Sequence, residues 1–384
     1  MKKCISKGKY RLILFAWLFF QLLVFINFQV SSKLIANKDG YLYSEKGQQP
    51  KWLQSWANFD GIHYLQIAQR GYGLYQQAFF PFYPKLIGFI GKILAGQYLL
   101  AGFLISSISL LGVLYLLYNL VLLDWSKEEA IHTIFFLVLF PTSFFFTAVY
   151  TESIFLFLTL LAFYWARKRL WLLVPLAIAL ASATRLVGIF LIPALLFELW
   201  QQQKRGQKLK VGYLFLSLWL ILISPLGLVS YMKYLSNNYQ DSLMFVHVQS
   251  NFGAQRSGGK MVLLYQVFWR YLKMVISCQK NSLVYFNVWF ELLSALLFLA
   301  LLILAYFKKV NYSYLIFAFF AYLIPTLTGT LSSFPRYVLV LFPAFIGLSL
   351  FHKEHPLIGK IFSFILFILL FICQFLFSQG YWVG

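Results

Sequence analysis

Long apolar runs alternate with short polar connections from one end of this chain to the other. A bilayer is crossed by about 20 apolar residues in a helix. On that length the pattern predicts eleven helices, at roughly 11–30, 97–123, 131–149, 152–166, 170–184, 186–200, 211–235, 283–306, 312–330, 336–351 and 357–377. The first lies in "MKKCISKGKYRLILFAWLFFQLLVFINFQV", where a basic head precedes an apolar run longer than a usual signal-peptide core. No A-x-A-like site follows, so it reads as a retained anchor, with a cleaved signal as the alternative.

Charge tests the alternation. The connections "DWSKEE", "ARKRL", "QQQKRGQKLK", "FKKVN" and "HKEHP" fall on the side of the N-terminus, and "ARKRL", "QQQKRGQKLK" and "FKKVN" carry a basic excess. That side is therefore expected to be cytosolic. The other side receives two long segments, residues 31–96 and 236–282, and tight turns around Glu152, Arg185 and Arg336. Long loops translocate largely regardless of their lysines, so these two segments do not conflict with the orientation. No internal repeat is evident, and residues 1–384 read as a single integral-membrane domain.

Composition excludes the alternatives to a membrane protein. The chain is 61% hydrophobic and 21% aromatic, with 11% charged residues. A soluble fold of this length could not hide that much apolar surface. The expected class is an all-α polytopic membrane protein with membrane lipids around it. The formal net charge of +21 is spread in short clusters between apolar runs, which points to membrane orientation and away from nucleic acid. Cys4, Cys278 and Cys373 fall at different depths or sides, so neither a disulfide framework nor a metal cluster is expected.

The informative polar island is "WLQSWANFDGIHYLQIAQRGYG", soon followed by "AFFPFYPKLIGFIGKIL". Ile62, Leu65 and Ala68 keep helical spacing and Gly71 suits a helix end, so a short helix of about ten residues is expected outside the membrane. Asp60 opens it, with His63 and Tyr64 on the same face. Pro81 and Pro84 then break the chain before a second short helix, expected along the interface. Asp60 has two readings: an N-cap, or a general base beside the membrane surface. His63 reads as a structural histidine or as a site residue. Glu152, Arg185 and Arg336, with Tyr337 beside it, occupy outer turns, where each could be a snorkelling helix-end residue. Their collection with Asp60 on one side suits a reaction on an anionic lipid. Arginines hold phosphate, and a carboxylate accepts a proton.

These residues resemble a known family. "W-x-x-x-D-x-x-H-Y-x-x-I-A-x-x-G-Y" followed by "A-F-F-P-x-Y-P" is similar to the PIG-V mannosyltransferases, integral-membrane GT-C glycosyltransferases that use a polyprenyl (dolichyl) phosphate sugar. "PTSFFFTAVYTES", "ATRLVG" and "PRYVLVLFP" resemble further segments of that family in the same order, over roughly residues 56–345. One departure is the Asn58-Phe59 pair, where many relatives carry Arg-Trp before the aspartate.

The resemblance implies a GT-C-type bundle whose first extracytoplasmic loop is catalytic. Asp60 would be the general base of an inverting transfer of mannose to a glycolipid or glycan acceptor. Arg185 and Arg336, with His63, would stabilise the leaving phosphate, and Glu152 and Tyr337 would wall the site. Tyr64, Tyr72 and Trp56 would pack against sugar faces. No cofactor is required, and no ligand-spaced cluster is visible, although Asp60 and His63 could hold a divalent ion weakly. Similar proteins occur in bacteria, whose inner membrane is favoured here over an ER membrane. Two other classes stay open: a transporter or flippase using Glu291 or Glu198, and a non-catalytic subunit of a glycan assembly complex.

Overall fold

A computed structural model describes residues 2–36, 38, 49–206 and 212–383. Parts of the first long loop and of the 201–210 connection, and the side chain of Cys4, lie outside the described residues. Among the described residues the fold is all-helical, and the protein is an integral multi-pass membrane protein.

Every predicted apolar run forms a helix, but the runs differ in length. Gly8–Leu34, Tyr98–Val121, Leu186–Lys204, Tyr213–Tyr239, Leu283–Phe307 and Pro356–Ser378 are each long and apolar enough to cross a membrane. The pair Phe334–Val340 and Phe342–Glu354 is together long and apolar enough as well, but its halves meet at 80°, the shape of a broken span or a re-entrant loop. The remaining runs give shorter helices, Lys127–Leu139, Glu152–Arg167, Val174–Ser182 and Tyr312–Thr326. The predicted run 131–149 stops early because Pro141 cannot supply the next N–H, so Phe140 turns extended and residues 141–151 form turns around the short 3-10 helix Ser143–Phe146.

Tyr98–Val121 lies at the centre, packed on Glu152–Arg167 and on Phe82–Ile93, whereas Tyr213–Tyr239 lies at the edge with most of its apolar surface outward. The first and last spans pack together through a buried polar seam. Asn27 Nδ2 donates to Gln374 Oε1 (2.7 Å), Gln374 Nε2 to the Val24 carbonyl (2.6 Å), and the Ser31 and Ser378 hydroxyls bond each other (2.8 Å). Inside an apolar slab such bonds fix which helix faces which, at about 0.6 kcal/mol each.

The last span also holds the segment before Asp60. Asn58 Nδ2 donates to the Phe377 carbonyl (2.8 Å), and the Phe59 ring packs between Phe377 and Trp382. The turn after Lys127–Leu139 is tied to the same place: Val149 N–H donates to the Trp56 carbonyl (2.9 Å) and Tyr150 Oη to the Asn58 carbonyl (2.7 Å). These bonds bring the start of the Asp60 helix beside the start of the Glu152 helix.

Candidate functional site

Asp60 is the first residue of the helix Asp60–Arg70, which ends at Gly71 with φ 83°. The N-cap position belongs to Phe59, and no side chain caps the helix. The Asp60 carboxylate instead accepts a hydrogen bond from Arg336 Nη1 at Oδ2 (2.7 Å). Among the described residues no group donates to Oδ1, and the side chain keeps 23% of its surface. Phe59 holds φ 55° and ψ −117°, a region that costs a non-glycine residue about 1–3 kcal/mol. The packing of its ring against Phe377 and Trp382 sustains that conformation immediately before the carboxylate.

Glu152 opens the helix Glu152–Arg167 and is fully buried. Its Oε1 accepts a hydrogen bond from Arg185 Nη2 and lies 3.2 Å from Arg336 Nε, an ion pair without a hydrogen bond, while among the described residues Oε2 has no hydrogen-bond partner. Arg185 sits in the extended break between Val174–Ser182 and Leu186–Phe190, and its Nε donates to Thr151 Oγ1 (2.9 Å). The short turn helix Phe334–Tyr337 starts from left-handed Ser333 and carries Arg336. The result is one alternating chain of charge, Asp60–Arg336–Glu152–Arg185. Two helix N-termini point their carboxylates at a shared guanidinium, an arrangement that the helix dipoles favour. The Tyr337 ring lies between the two guanidiniums, 5.3 Å from Arg336 Cζ and 5.5 Å from Arg185 Cζ.

Burial alone would push the Asp60 carboxyl up. The Arg336 guanidinium, helped by His63 and Arg256, outweighs it and holds the carboxyl below the ordinary carboxylate value. Burial lowers His63 and the Asp60 charge only partly restores it, so the imidazole is neutral near pH 7. His63 therefore offers a hydrogen bond and no charge. It stacks on Phe79 (4.9 Å between ring centres), with Nδ1 3.3 Å from Gln76 Nε2.

A cavity of about 680 Å³ opens at this charge chain, lined by Asp60, His63, Tyr64, Arg185, Arg336 and Tyr337. Three of the residues singled out from sequence do not line it. Glu152 lies behind the wall and orients the arginines. Trp56 is 2% exposed and packs in the core. Tyr72 Oη donates to the Phe79 carbonyl (2.8 Å), with its ring against Tyr231 and Tyr234. Among the described residues no group of three or more His, Cys, Asp or Glu could hold a metal ion.

The cavity has a second wall, of which the sequence had singled out Glu291 alone, and that for a transporter. Arg256, Arg270 and Tyr271 come from the second long segment, Glu291 from the span Leu283–Phe307, and Trp382 from beyond the last span. The signal available was the polar, glycine-rich "NFGAQRSGGK" between apolar runs. Glu291 is 6% exposed and accepts from Tyr271 Oη. Glu198 lies elsewhere, 3.7 Å from Arg167 Nε at the far end of the Glu152–Arg167 helix. It accepts from Gln202, Asn311 and Ser313 and is thus satisfied within the protein.

No family model matches the chain, and no curated protein matches it. Two solved structures of the Archaeoglobus fulgidus oligosaccharyltransferase show a distant likeness at 12% identity. One, tethered with an acceptor peptide containing the NVT sequon via a disulfide bond, has a TM-score of 0.47 over 95% of this chain and 56% of that one. The other, a complex with Zn and sulfate, has a TM-score of 0.41 over 94% and 53%. The chain spans about half the length of the proteins it matches.

Proposed function

We propose that this protein is a membrane-embedded glycosyltransferase of the GT-C type, moving mannose from a polyprenyl-phosphate donor to a hydroxyl of a glycolipid or glycan on the extracytoplasmic face. The observation that carries the reading is Asp60: an ionised carboxylate, one oxygen held by Arg336 and the other open, on the wall of a cavity rich in arginine.

The acceptor hydroxyl gives its proton to Asp60 as its oxygen bonds the anomeric carbon. The bond from that carbon to the phosphate oxygen breaks, and the electron pair leaves with polyprenyl phosphate. One displacement inverts the configuration. Arg336 has two tasks here. It orients Asp60 Oδ2, and with Arg185 it sets a positive field where phosphate charge develops. A carboxylate held this low is fully in its basic form at neutral pH but is a weak base, so its contribution comes through position more than through proton affinity. His63, neutral, is suited to a sugar hydroxyl. The apolar part of the lining suits the first prenyl units.

Purified protein given polyprenyl phosphate mannose and candidate acceptors tests the reading, with release of free polyprenyl phosphate as readout. Stoichiometric transfer supports it. The buried Glu291 on the same cavity favours a second reading, a lipid or glycan transporter with an intramembrane carboxylate. Flux into liposomes without any new glycosidic bond would establish that reading instead.

A further inference from the structure

Four arginines line the cavity, and they are not equivalent. Arg336 is committed to Asp60 and Glu152, and Arg185 to Glu152 and Thr151. Arg270 is used as a staple, donating to the Gly329 carbonyl (2.9 Å), the Ala254 carbonyl (3.2 Å) and Gln255 Oε1 (2.9 Å). Arg256 differs. Its hydrogen bond is a long one to Ser333 Oγ (3.4 Å), and among the described residues it joins no ion pair. A guanidinium has five N–H donors and does not deprotonate, so most of this binding capacity is unspent.

The charge balance agrees. Asp60 and Glu291 line the cavity and Glu152 backs it, leaving the four guanidiniums in excess over three carboxylates. Arg256 is also placed, not dangling. Gly253, Ala254 and Gln255 all hold positive φ (72°, 53° and 51°), an unusual run that turns the chain immediately before it. Beyond it, Ser257 N–H donates to the Thr328 carbonyl (2.9 Å) and Val262 N–H to the Leu327 carbonyl (3.0 Å). The second long segment is thus pinned to the turn after Tyr312–Thr326, with Arg256 on the cavity lining beside the Ser333–Arg336 turn.

We propose that Arg256 is the direct ligand of the donor's phosphate, which divides the labour of the site: Arg336 and Arg185 fix the base and its support and contribute the surrounding positive field, and Arg256 makes the contact with the leaving group. This rests on the glycosyl-transfer reading above. The phosphate gains charge as its bond to the anomeric carbon breaks, and a planar guanidinium meets two of its oxygens at once.

The test is equilibrium binding to the full-length protein in nanodiscs, read by tryptophan fluorescence. The probes are a short polyprenyl phosphate without sugar, the neutral polyprenol of equal length, and inorganic phosphate. Arg256→Ala should weaken the lipid phosphate by about tenfold or more. Arg256→Lys should recover part of that loss, and polyprenol binding should not change. Thermal unfolding confirms that each variant is folded. Unchanged lipid-phosphate affinity in Arg256→Ala, with loss in Arg185→Gln, overturns the assignment and leaves glycosyl transfer standing. Inorganic phosphate bound as tightly as the lipid overturns the lipid-linked ligand. A parent protein that binds no polyprenyl phosphate overturns the glycosyl-transfer reading as well.

Discussion

The Asp60 carboxylate sits between opposing pulls, burial raising its pKa and Arg336 lowering it, and the guanidinium prevails. A reaction that needs ionised Asp60 proceeds above its folded pKa and fails as the pH falls through it. The acid limb of the rate profile should therefore lie below about 3.9, the ordinary aspartate value. In Arg336→Gln the largest lowering influence is gone, and the limb should climb by about one to three pH units. An unmoved limb would mean that another group controls it. The same pair contributes stability that is present above the unfolded aspartate pKa and lost as the pH drops through the lower folded one. Asp60 stood out in the sequence as a candidate from its isolation among aromatics, and it lines the cavity. Its partner was not legible, because Arg336 lies 276 positions away and only packing joins them. The capping role read for Asp60 belonged to a position one residue too late, since strained Phe59 occupies the N-cap.

Helices were legible because lipid demands continuous apolar runs, and so were the turns around Glu152, Arg185 and Arg336 between them; the contacts that those turns make with one another were not. Arg185, Ser333 and Tyr150 all stand where an apolar run is interrupted, and each interruption puts a polar group at the cavity or against the Asp60 segment. Gly188 shows how tightly one of these breaks is built. A Cβ there would fall 2.5 Å from the backbone of Ala181 and Ser182, so the turn after Arg185 closes only on glycine. Gly188→Ala should destabilise the protein by about 1–3 kcal/mol and lower turnover by moving Arg185, seen as a reduced unfolding temperature together with a reduced rate. Glu152→Gln removes the charge that both arginines share. A cost of about 3–5 kcal/mol is expected, the usual penalty for stranding a buried charge. A variant as stable as the parent would show that the arginines repartner elsewhere.

Across the whole molecule, charge is sorted by end. The Glu152–Arg167 helix carries the Asp60–Arg336–Glu152–Arg185 chain at its start and the Arg167–Asp124–Glu198 cluster at its finish, with an apolar body between. The gathering of Glu152, Arg185 and Arg336 on one side could be anticipated by counting spans. The second wall could not, since nothing in a polar loop announces that it folds back over a cavity. The central claim is that Asp60 takes the acceptor's proton while Arg336 stays compensated by Glu152, so its loss should spare the fold. The most direct measurement is the rate of mannose transfer from polyprenyl phosphate mannose by the parent protein and by Asp60→Asn, with unfolding temperatures taken alongside. A fall of about two to four orders of magnitude in rate, with a folded variant, is the predicted result. Transfer by Asp60→Asn at the parental rate would contradict it.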